Sequence, residues 1–328
     1  MEEPLDAGHR PVLVDETLRY LEPERGGLFV DATVGLGGHA EALLEASGAV
    51  RLVGIDRDRH ALERAAARLE RFSDRVQLVA GRFSRLRSLV ARAAPDVAPE
   101  GSAAGVLADL GVSSVQLDTP ERGFSFRFDA PLDMRMGPGG PTAEEIVNRY
   151  PEADLARIFK EYGEERQARR IARALVKARE ETSVRTTGRL RELILQAKGV
   201  HRGSGRREGR VDPATRVFQA LRLEVNRELE ELEDFLDEAV RMLGEDGRLV
   251  VISYHSLEDR IVKNTVRDLA RGEIDQVTGR PRAESRILEV LTKKPVRPSP
   301  GEVEANPRSR SARLRAARRR SPGRSIEP

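Results

Sequence analysis

The stretch Leu28-Phe29-Val30-Asp31-Ala32-Thr33-Val34-Gly35-Leu36-Gly37-Gly38-His39 decides the fold of this chain. Its apolar start is typical of a buried strand, its glycines of a tight turn, and the following run 40–44 of a helix. A strand, a glycine turn and a helix N-terminus bring backbone N–H groups against a nucleotide-like ligand in α/β proteins. We therefore interpret Gly37 and Gly38 as part of a ligand-binding turn.

A second apolar run, 52–55, ends on Asp56, seventeen residues after His39. A carboxylate about 20 residues beyond such glycines is placed to accept hydrogen bonds from ribose hydroxyls. The spacing Gly35-x-Gly37-x-x-Ala40 followed by Asp56 also satisfies a permissive dinucleotide fingerprint. An NAD(P)-dependent enzyme is therefore one hypothesis for this chain, and a glycine turn without a ligand is another.

Asp31, directly before the turn, argues against the dinucleotide. A carboxylate beneath the turn repels a pyrophosphate, whereas it attracts the ammonium group of an amino acid. A ligand with ribose hydroxyls near Asp56 and an amino-acid ammonium near Asp31 is S-adenosylmethionine. The residues of the first two strands therefore favour S-adenosylmethionine as the cofactor.

Alternating apolar and helical segments continue along the chain and predict an α/β fold with a Rossmann-like parallel sheet. From about 135 to 212 the pattern is helical, with no strand run, which predicts an all-helical inserted domain, 135–212. The sheet domain is then discontinuous, with segments 1–134 and 213–328, and a long helical stretch is expected over 213–243. The predicted strands are 28–32, 51–55, 76–80, 105–109 and 247–254, with two weaker ones at 286–292 and 312–317.

Charge is unevenly spread, although the net charge of the chain is only +3. The Arg-rich C-terminal segment 306–328, a strand and tail, holds eight arginines against one acidic residue, Glu327. The segment 198–210 holds five basic residues and one acidic residue. Such concentration suggests a polyanionic partner, and a solvated tail is the alternative.

Composition excludes several classes of protein. The chain has no cysteine, so disulfides, thiolate zinc sites and a cysteine nucleophile are excluded. Its five histidines show no metal-ligand spacing, and no metal site is predicted. No apolar run approaches 18 residues and the acidic start is unlike a signal peptide, so we expect a cytoplasmic protein without a membrane partner.

Asp109 ends the fourth predicted strand, at the edge of the sheet where ligands of open α/β sheets bind. Methylation of a pyrimidine ring carbon usually needs a cysteine thiolate, so an exocyclic amine, a ring nitrogen or a hydroxyl remains as methyl acceptor. A carboxylate that accepts the N–H bonds of an amine stabilises the positive charge that develops there. Asp109 is the candidate catalytic residue for that role. Phe83, after the third strand, is either a surface for the adenine or ordinary core.

Several long motifs follow one another along nearly the whole chain. They are His9-Arg10-Pro11-Val12-Leu13, Gly111-Val112-Ser113-Ser114-Val115-Gln116-Leu117-Asp118, Glu121-Arg122-Gly123-Phe124-Ser125-Phe126, Pro131-Leu132-Asp133-Met134-Arg135-Met136, Tyr162-Gly163-Glu164-Glu165-Arg166, Pro213-Ala214-Thr215-Arg216-Val217-Phe218-Gln219-Ala220-Leu221-Arg222, Ser253-Tyr254-His255-Ser256-Leu257-Glu258-Asp259-Arg260 and Asn306-Pro307-Arg308-Ser309-Arg310-Ser311. In this order the motifs resemble those of one family, the bacterial 16S ribosomal RNA (cytosine-N4) methyltransferases, RsmH, formerly MraW. Two departures are visible, Asp212 where the family usually has His and Tyr254 where it usually has Phe.

The resemblance implies a class I methyltransferase that acts on the N4 amine of a cytosine in the decoding (P-site) region of 16S rRNA. It implies S-adenosylmethionine as cofactor and 16S rRNA, in the small ribosomal subunit, as partner. It also implies a set of cofactor contacts, of which His39 and Gln116 follow from the resemblance alone. The contacts are Gly37, Gly38, His39, Asp56, Phe83, Asp109 and Gln116.

Substrate recognition is predicted to come from the residues that follow the fourth strand and from the helical insertion. Arg122, Phe124, Phe126 and Arg135 are expected to wall the acceptor side, and the basic loop 199–210 and the tail to contact phosphates. A homodimer through the insertion is an open expectation. A non-catalytic ribosome-assembly protein with a vestigial pocket is the remaining alternative, which the intact carboxylates disfavour.

Overall fold

The computed structural model describes residues 11–95, 102–111, 119–137, 139–200, 212–275, 278–280 and 282–321. The chain divides into two compact units. We call them the sheet unit, formed by 1–111 with 229–328, and the helical unit, formed by 112–228. Within the described ranges, no helix is both long and apolar enough to cross a membrane.

The strands of the sheet unit form one seven-stranded sheet in the order β3-β2-β1-β4-β5-β7-β6. Strands β1 to β5 run parallel, and β7 runs antiparallel to both of its neighbours. All seven predicted strands are present, and the predicted Rossmann-like α/β fold class is confirmed. The strands are β1 Gly27–Asp31, β2 Val50–Asp56, β3 Val76–Ala80, β4 Ala103–Asp109, β5 Leu243–Ser253, β6 Leu288–Val290 and β7 Arg313–Arg319.

Helices alternate with β1 to β4 and reappear after β5, whereas the helical unit contains no named strand among its described residues. The described helices are α1 Val14–Leu21, α2 Gly38–Ala46, α3 Arg59–Arg68, α4 Leu86–Ala93, α5 Ala143–Arg149, α6 Glu152–Glu161, α7 Ala168–Glu181, α8 Thr187–Ala197, α9 Thr215–Asn226, α10 Glu228–Met242, α11 Ser256–Arg271 and α12 Pro300–Ala305.

Both faces of the sheet are buried, as the short apolar runs predict. Successive residues of a strand point to opposite faces, so Leu28 and Val30 join one hydrophobic cluster, while Phe29 joins the other. The first cluster is covered by α4 and α10, and the second by α1 and α2. The carboxyl ends of β1, β2 and β4 therefore meet at one edge of a rigid sheet.

The predicted helical stretch 213–243 is two helices rather than one, which corrects the sequence interpretation. Arg227, between α9 and α10, has a left-handed backbone with φ 52°, which no continuous α-helix accommodates. The side chain of Asn226 stabilises this break, because its amide donates to the Met134 carbonyl and its oxygen accepts the Met136 N–H, both at 2.8–2.9 Å. The apolar period continues across the break, so periodicity alone does not reveal it.

The helical unit is larger than the predicted insertion 135–212, since it spans 112–228. Residues on both sides of that range belong to its hydrophobic core. Phe124 and Leu132 precede the predicted start, and Val217 and Phe218 follow the predicted end. The Pro-Gly run 138–141 and the cap Asp212-Pro213 mark the predicted boundaries in the sequence, whereas the hydrophobic core of the folded unit extends beyond both.

Three of the four arginines of β7 are engaged within the sheet unit. The guanidinium of Arg315, 9% exposed, pairs with Asp259 at 2.6 Å. Arg318 pairs with Glu289, and Arg319 donates to the carbonyl of Leu243 at 2.6 Å. Part of the basic C-terminal segment is therefore structural, and the tail 322–328 and the loop residues 201–211 lie outside the described residues.

Candidate cofactor site

The glycine turn between β1 and α2 has a backbone that other residues do not readily adopt. Gly37 caps α2 with φ 82°, in the left-handed region. A Cβ atom on Gly38 would lie 2.4 Å from Cγ of Pro11, so that position has room only for glycine. Because the turn leads directly into α2, free N–H groups of the helix N-terminus lie beside the carboxyl end of β1.

Asp31 ends β1 and is 1% exposed. Its Oδ1 accepts the Thr33 N–H at 3.1 Å. Burial raises the pKa of this carboxyl group from 3.8 to about 7, while the nearby His39 and the Thr33 N–H act to lower the pKa. Because burial leaves the charged form of Asp31 poorly solvated, a cation placed beside this carboxyl group would stabilise that form strongly.

Asp56 ends β2 and fixes the shape of the turn. Its Oδ2 accepts the Gly35 N–H at 2.9 Å, and its Oδ1 accepts the Asp58 N–H at 2.9 Å. Burial raises the pKa of Asp56, and the two backbone N–H groups partly offset that rise. Each carboxylate oxygen has a second lone pair, so Asp56 can still accept from the hydroxyls of a ligand.

Asp109 ends β4 and is tied to the first strand by its backbone, whose N–H donates to Oγ1 of Thr33 at 2.7 Å. Its side chain is held by Tyr254, which follows β5: the phenol donates to Oδ1 at 2.9 Å. Burial and the charge of Asp109 raise the pKa of Tyr254 well above 10, so the phenol stays protonated at neutral pH. The structure thus brings Asp31, Asp56 and Asp109 to one sheet edge, where the charges of the other two further raise the pKa of Asp31.

His39, in the first turn of α2, is also directed into this group of carboxylates. Its Nε2 lies 3.5 Å from Oδ2 of Asp109, and the residue is 8% exposed. Within the described part of the chain, this buried nitrogen has no hydrogen-bond partner. Buried polar atoms are nearly always satisfied in proteins, so an unsatisfied nitrogen beside these carboxylates marks His39 as a candidate ligand contact.

Phe83 and Gln116 differ from the other predicted contacts. Phe83 packs against the ring of Phe235 on α10, with the ring centroids 5.1 Å apart, and joins the hydrophobic cluster beneath the sheet edge. The structure therefore gives Phe83 a core contact, and an adenine contact stays a prediction. Gln116 lies in 112–118, outside the described residues.

Sequence reasoning missed the two hydroxyls that hold Asp109. Tyr254 is 145 residues away from Asp109, and only the parallel pairing of β4 with β5 brings them together. Thr33 lies in the glycine turn, and its contact with Asp109 is not evident from the sequence. Thr33 and Tyr254 both lie within two positions of the carboxyl end of a parallel strand, and a polar side chain at such a position is the signal that would have found them.

We expect Tyr254→Phe to lower the free energy of unfolding by about 1–2 kcal/mol, because a hydrogen bond to a partly buried carboxylate is lost. Urea denaturation at pH 7.5 measures this change. Tyr20→Phe is the matched control, since among the described residues the Tyr20 hydroxyl accepts its hydrogen bond from the exposed Arg19. Equal stability of the two variants would show that the Tyr254 hydroxyl does not contribute to holding Asp109.

The residues predicted to wall the acceptor side are engaged within the helical unit. Phe124 is 8% exposed, and Phe126 packs edge-on against Phe218 with ring centroids 4.8 Å apart. Arg135 forms a bidentate ion pair with Asp133 at 2.7 and 2.8 Å. Arg122 donates to the carbonyl groups of residues 135 and 136. Each of these four side chains therefore has an internal role.

Comparison with known proteins agrees with the resemblance seen in the motifs. The model of the MraW methylase family matches residues 6–320. A protein of Carboxydothermus hydrogenoformans is 48% identical over 325 residues, which cover 97% of this chain and 99% of that protein. Proteins of Geotalea uraniireducens (49% over 317 residues, 95% and 98%) and Bradyrhizobium diazoefficiens (48% over 316 residues, 96% and 92%) are similar. All three are named "Ribosomal RNA small subunit methyltransferase H". Because the match spans nearly the full length of this chain, the chain belongs to the MraW methylase family.

Proposed function

We propose that this protein transfers a methyl group from S-adenosylmethionine to the exocyclic N4 amine of a cytosine in the decoding region of 16S rRNA. Family membership and the shared name of the full-length relatives support the coarser part of this statement, methylation of small-subunit ribosomal RNA. The finer part, an amine of cytosine, rests on the site chemistry and on the motif resemblance.

The observation that carries the proposal is the buried carboxyl group of Asp31 beneath the glycine turn. A pyrophosphate placed on this helix N-terminus would meet Asp31, Asp56 and Asp109, all of which carry or can carry negative charge. An ammonium group would instead be attracted by them, with little competition from water. This charge pattern supports an amino-acid-bearing nucleoside over a dinucleotide.

The residues present fit S-adenosylmethionine. Asp31 would hold the ammonium group, Asp56 would accept from the ribose hydroxyls, and the unsatisfied Nε2 of His39 offers a further polar contact. The Gly37 and Gly38 backbone would hold the ligand at the helix N-terminus. When bound, S-adenosylmethionine supplies an electrophilic methyl group.

Asp109 is our candidate for preparing the acceptor. The lone pair of an exocyclic amine is delocalised into the base, and a carboxylate that accepts its N–H bonds localises that pair. Tyr254 and Thr33 keep Asp109 in place, and Oδ2 is free of the Tyr254 bond. The chain contains no cysteine, which supports an amine over a ring carbon as acceptor.

Holding a cytosine in such a site requires it to leave its stack, at a cost of a few kcal/mol. We propose that the helical unit recognises the RNA around the target, and that the basic loop 199–210 and the tail contribute salt-dependent phosphate contacts. Formation of a homodimer stays a prediction.

Two linked measurements test the proposed function. Calorimetry is expected to detect binding of S-adenosylmethionine and none of NADH, and labelled methyl groups are expected in acid-precipitable 16S rRNA or small subunits. NADH binding without label would favour an NAD(P)-dependent enzyme. Binding of RNA with neither cofactor would favour a non-catalytic assembly protein.

A further inference from the structure

Three phenylalanines alternate in the segment 124–128 of the helical unit, and the third differs from the others. Phe124 is buried and Phe126 packs on Phe218, but Phe128 is 60% exposed. An exposed phenyl ring forgoes the hydrophobic stabilisation that burial would give. The local structure around Phe128 shows how this exposed position is maintained.

Hydrogen bonds to α8 hold the backbone of the loop around Phe128. The hydroxyl of Thr187, which is 0% exposed, donates to the Phe128 carbonyl at 2.9 Å and accepts the Ala130 N–H at 3.1 Å. The Thr187 N–H donates to the Ala130 carbonyl at 2.9 Å, and the Gly188 N–H donates to Oδ1 of Asp129 at 2.8 Å. Four hydrogen bonds to the N-terminus of α8 therefore anchor the backbone that carries the exposed ring, so this loop loses little conformational entropy when a ligand binds.

Exposed arginines lie next to Phe128 in the loop and in the segment that pairs with this loop. The exposed side chain of Arg127 precedes Phe128, and Arg185 is exposed in the segment that pairs with the loop, where its carbonyl accepts the Leu132 N–H at 3.0 Å. Neither guanidinium has an ion pair with a carboxylate of the described residues. Asp129 is the acidic neighbour, and one of its oxygens is already engaged by Gly188.

We propose that Phe128 is a stacking platform for an unpaired nucleobase of the RNA substrate, with Arg127 and Arg185 contacting the flanking phosphates. This proposal rests on the proposed function, since it assumes that the polyanion is RNA. Aromatic rings stack on any base, and cations beside the ring hold the backbone. A protein interface would need a contiguous apolar patch, and Phe128 is the one large exposed apolar side chain of the helical unit within the described ranges.

The absence of tryptophan from the chain makes a direct test possible. In Phe128→Trp the new indole is the single tryptophan, and we expect its fluorescence to be strongly quenched when transcribed 16S rRNA binds. The matched control is Ile287→Trp in the sheet unit, where the native side chain is 40% exposed, and its emission should change little. Quenching does not require methyl transfer, so this readout and the proposed function can fail separately.

Affinity measurements separate stacking from charge. We expect Phe128→Leu to weaken binding of transcribed 16S rRNA roughly 5- to 150-fold with an unchanged salt slope, and Phe128→Tyr to restore it. Arg127→Ala should instead make the dependence of log K on log salt shallower by about 0.7–0.9. Methyl transfer by the Phe128→Leu variant should show a raised KM at nearly normal kcat.

Two results would overturn the proposal. One is wild-type affinity of Phe128→Leu for 16S rRNA together with an unquenched Phe128→Trp variant. The other is a loss of binding that occurs with assembled small subunits and not with the RNA alone, which would assign Phe128 to a protein contact.

Discussion

Asp31→Asn is expected to weaken binding of S-adenosylmethionine roughly 150- to 5,000-fold at pH 8. The variant keeps the shape of the side chain and an oxygen that can accept the Thr33 N–H, but it removes the charge that pairs with the ammonium group. Loss of one partner from a buried ion pair costs about 3–5 kcal/mol. Calorimetric titration measures the affinity. Asp74→Asn is the matched control, because the Asp74 side chain is 76% exposed and precedes β3, away from the carboxyl ends of the strands.

The same carboxyl group predicts a pH dependence of cofactor affinity. The pKa of Asp31 is raised to about 7 in the protein without ligand, and an ammonium partner favours the charged form. Binding therefore releases a proton below pH 7, and affinity should fall about tenfold for each pH unit below that value and level off above it. A flat profile between pH 5 and 8, or normal affinity of Asp31→Asn, would contradict the assignment of Asp31 to the ammonium group.

The free energy of unfolding of the ligand-free protein should depend on pH in the opposite direction to cofactor affinity. The native protein holds the Asp31 proton up to about pH 7, whereas the unfolded chain releases it near pH 3.8, so stability falls as pH rises through this window. Asparagine carries no such charge, and Asp31→Asn is expected to be more stable than wild type by about 1–3 kcal/mol at pH 8, with no gain near pH 4. Urea denaturation at both pH values tests this expectation, and it separates loss of binding from loss of folding.

Asp109→Asn is expected to lower kcat by about 100- to 1,000-fold, the effect of removing a group that stabilises developing charge. Asparagine can still accept from Tyr254, and the backbone bond to Thr33 is unaffected. Cofactor affinity should therefore change by less than about tenfold. Steady-state methyl transfer with saturating RNA measures kcat, and a single-turnover experiment with enzyme in excess of RNA measures the rate constant of the transfer step without product release.

Tyr254→Phe serves as the comparison for Asp109, because it leaves the carboxylate and removes only its hydrogen-bond donor. Its kcat should lie between those of wild type and Asp109→Asn. If Asp109→Asn bound cofactor and RNA normally and kept turnover within a few-fold of wild type, Asp109 would have no part in preparing the amine.

The first half of the sheet was predictable because β1 to β4 are short, mainly apolar runs that end at an aspartate or are followed by a glycine. The parallel topology then placed Asp31, Asp56 and Asp109 at one edge without any knowledge of coordinates. What sequence could not supply are contacts between distant positions. The Tyr254–Asp109 bond depends on the pairing of β4 with β5, and the Arg315–Asp259 ion pair depends on the antiparallel β7.

Burial of individual side chains was also beyond the sequence. Phe124, Phe126 and Phe128 have the same spacing and chemistry, yet only the contacts of the folded helical unit decide that the first two are internal and the third exposed. The break at Arg227 is similar, because hydrophobic periodicity continues through it and the Asn226 side chain that stabilises it acts on residues about 90 positions earlier.

Nucleoside analysis of 16S rRNA after incubation with the purified protein and methyl-labelled S-adenosylmethionine tests the central claim most directly. The claim predicts that the label appears in N4-methylcytidine with wild-type protein, and at a rate lower by about two to three orders of magnitude with Asp109→Asn. Label in 5-methylcytidine, in another nucleoside, or in no nucleoside would contradict it.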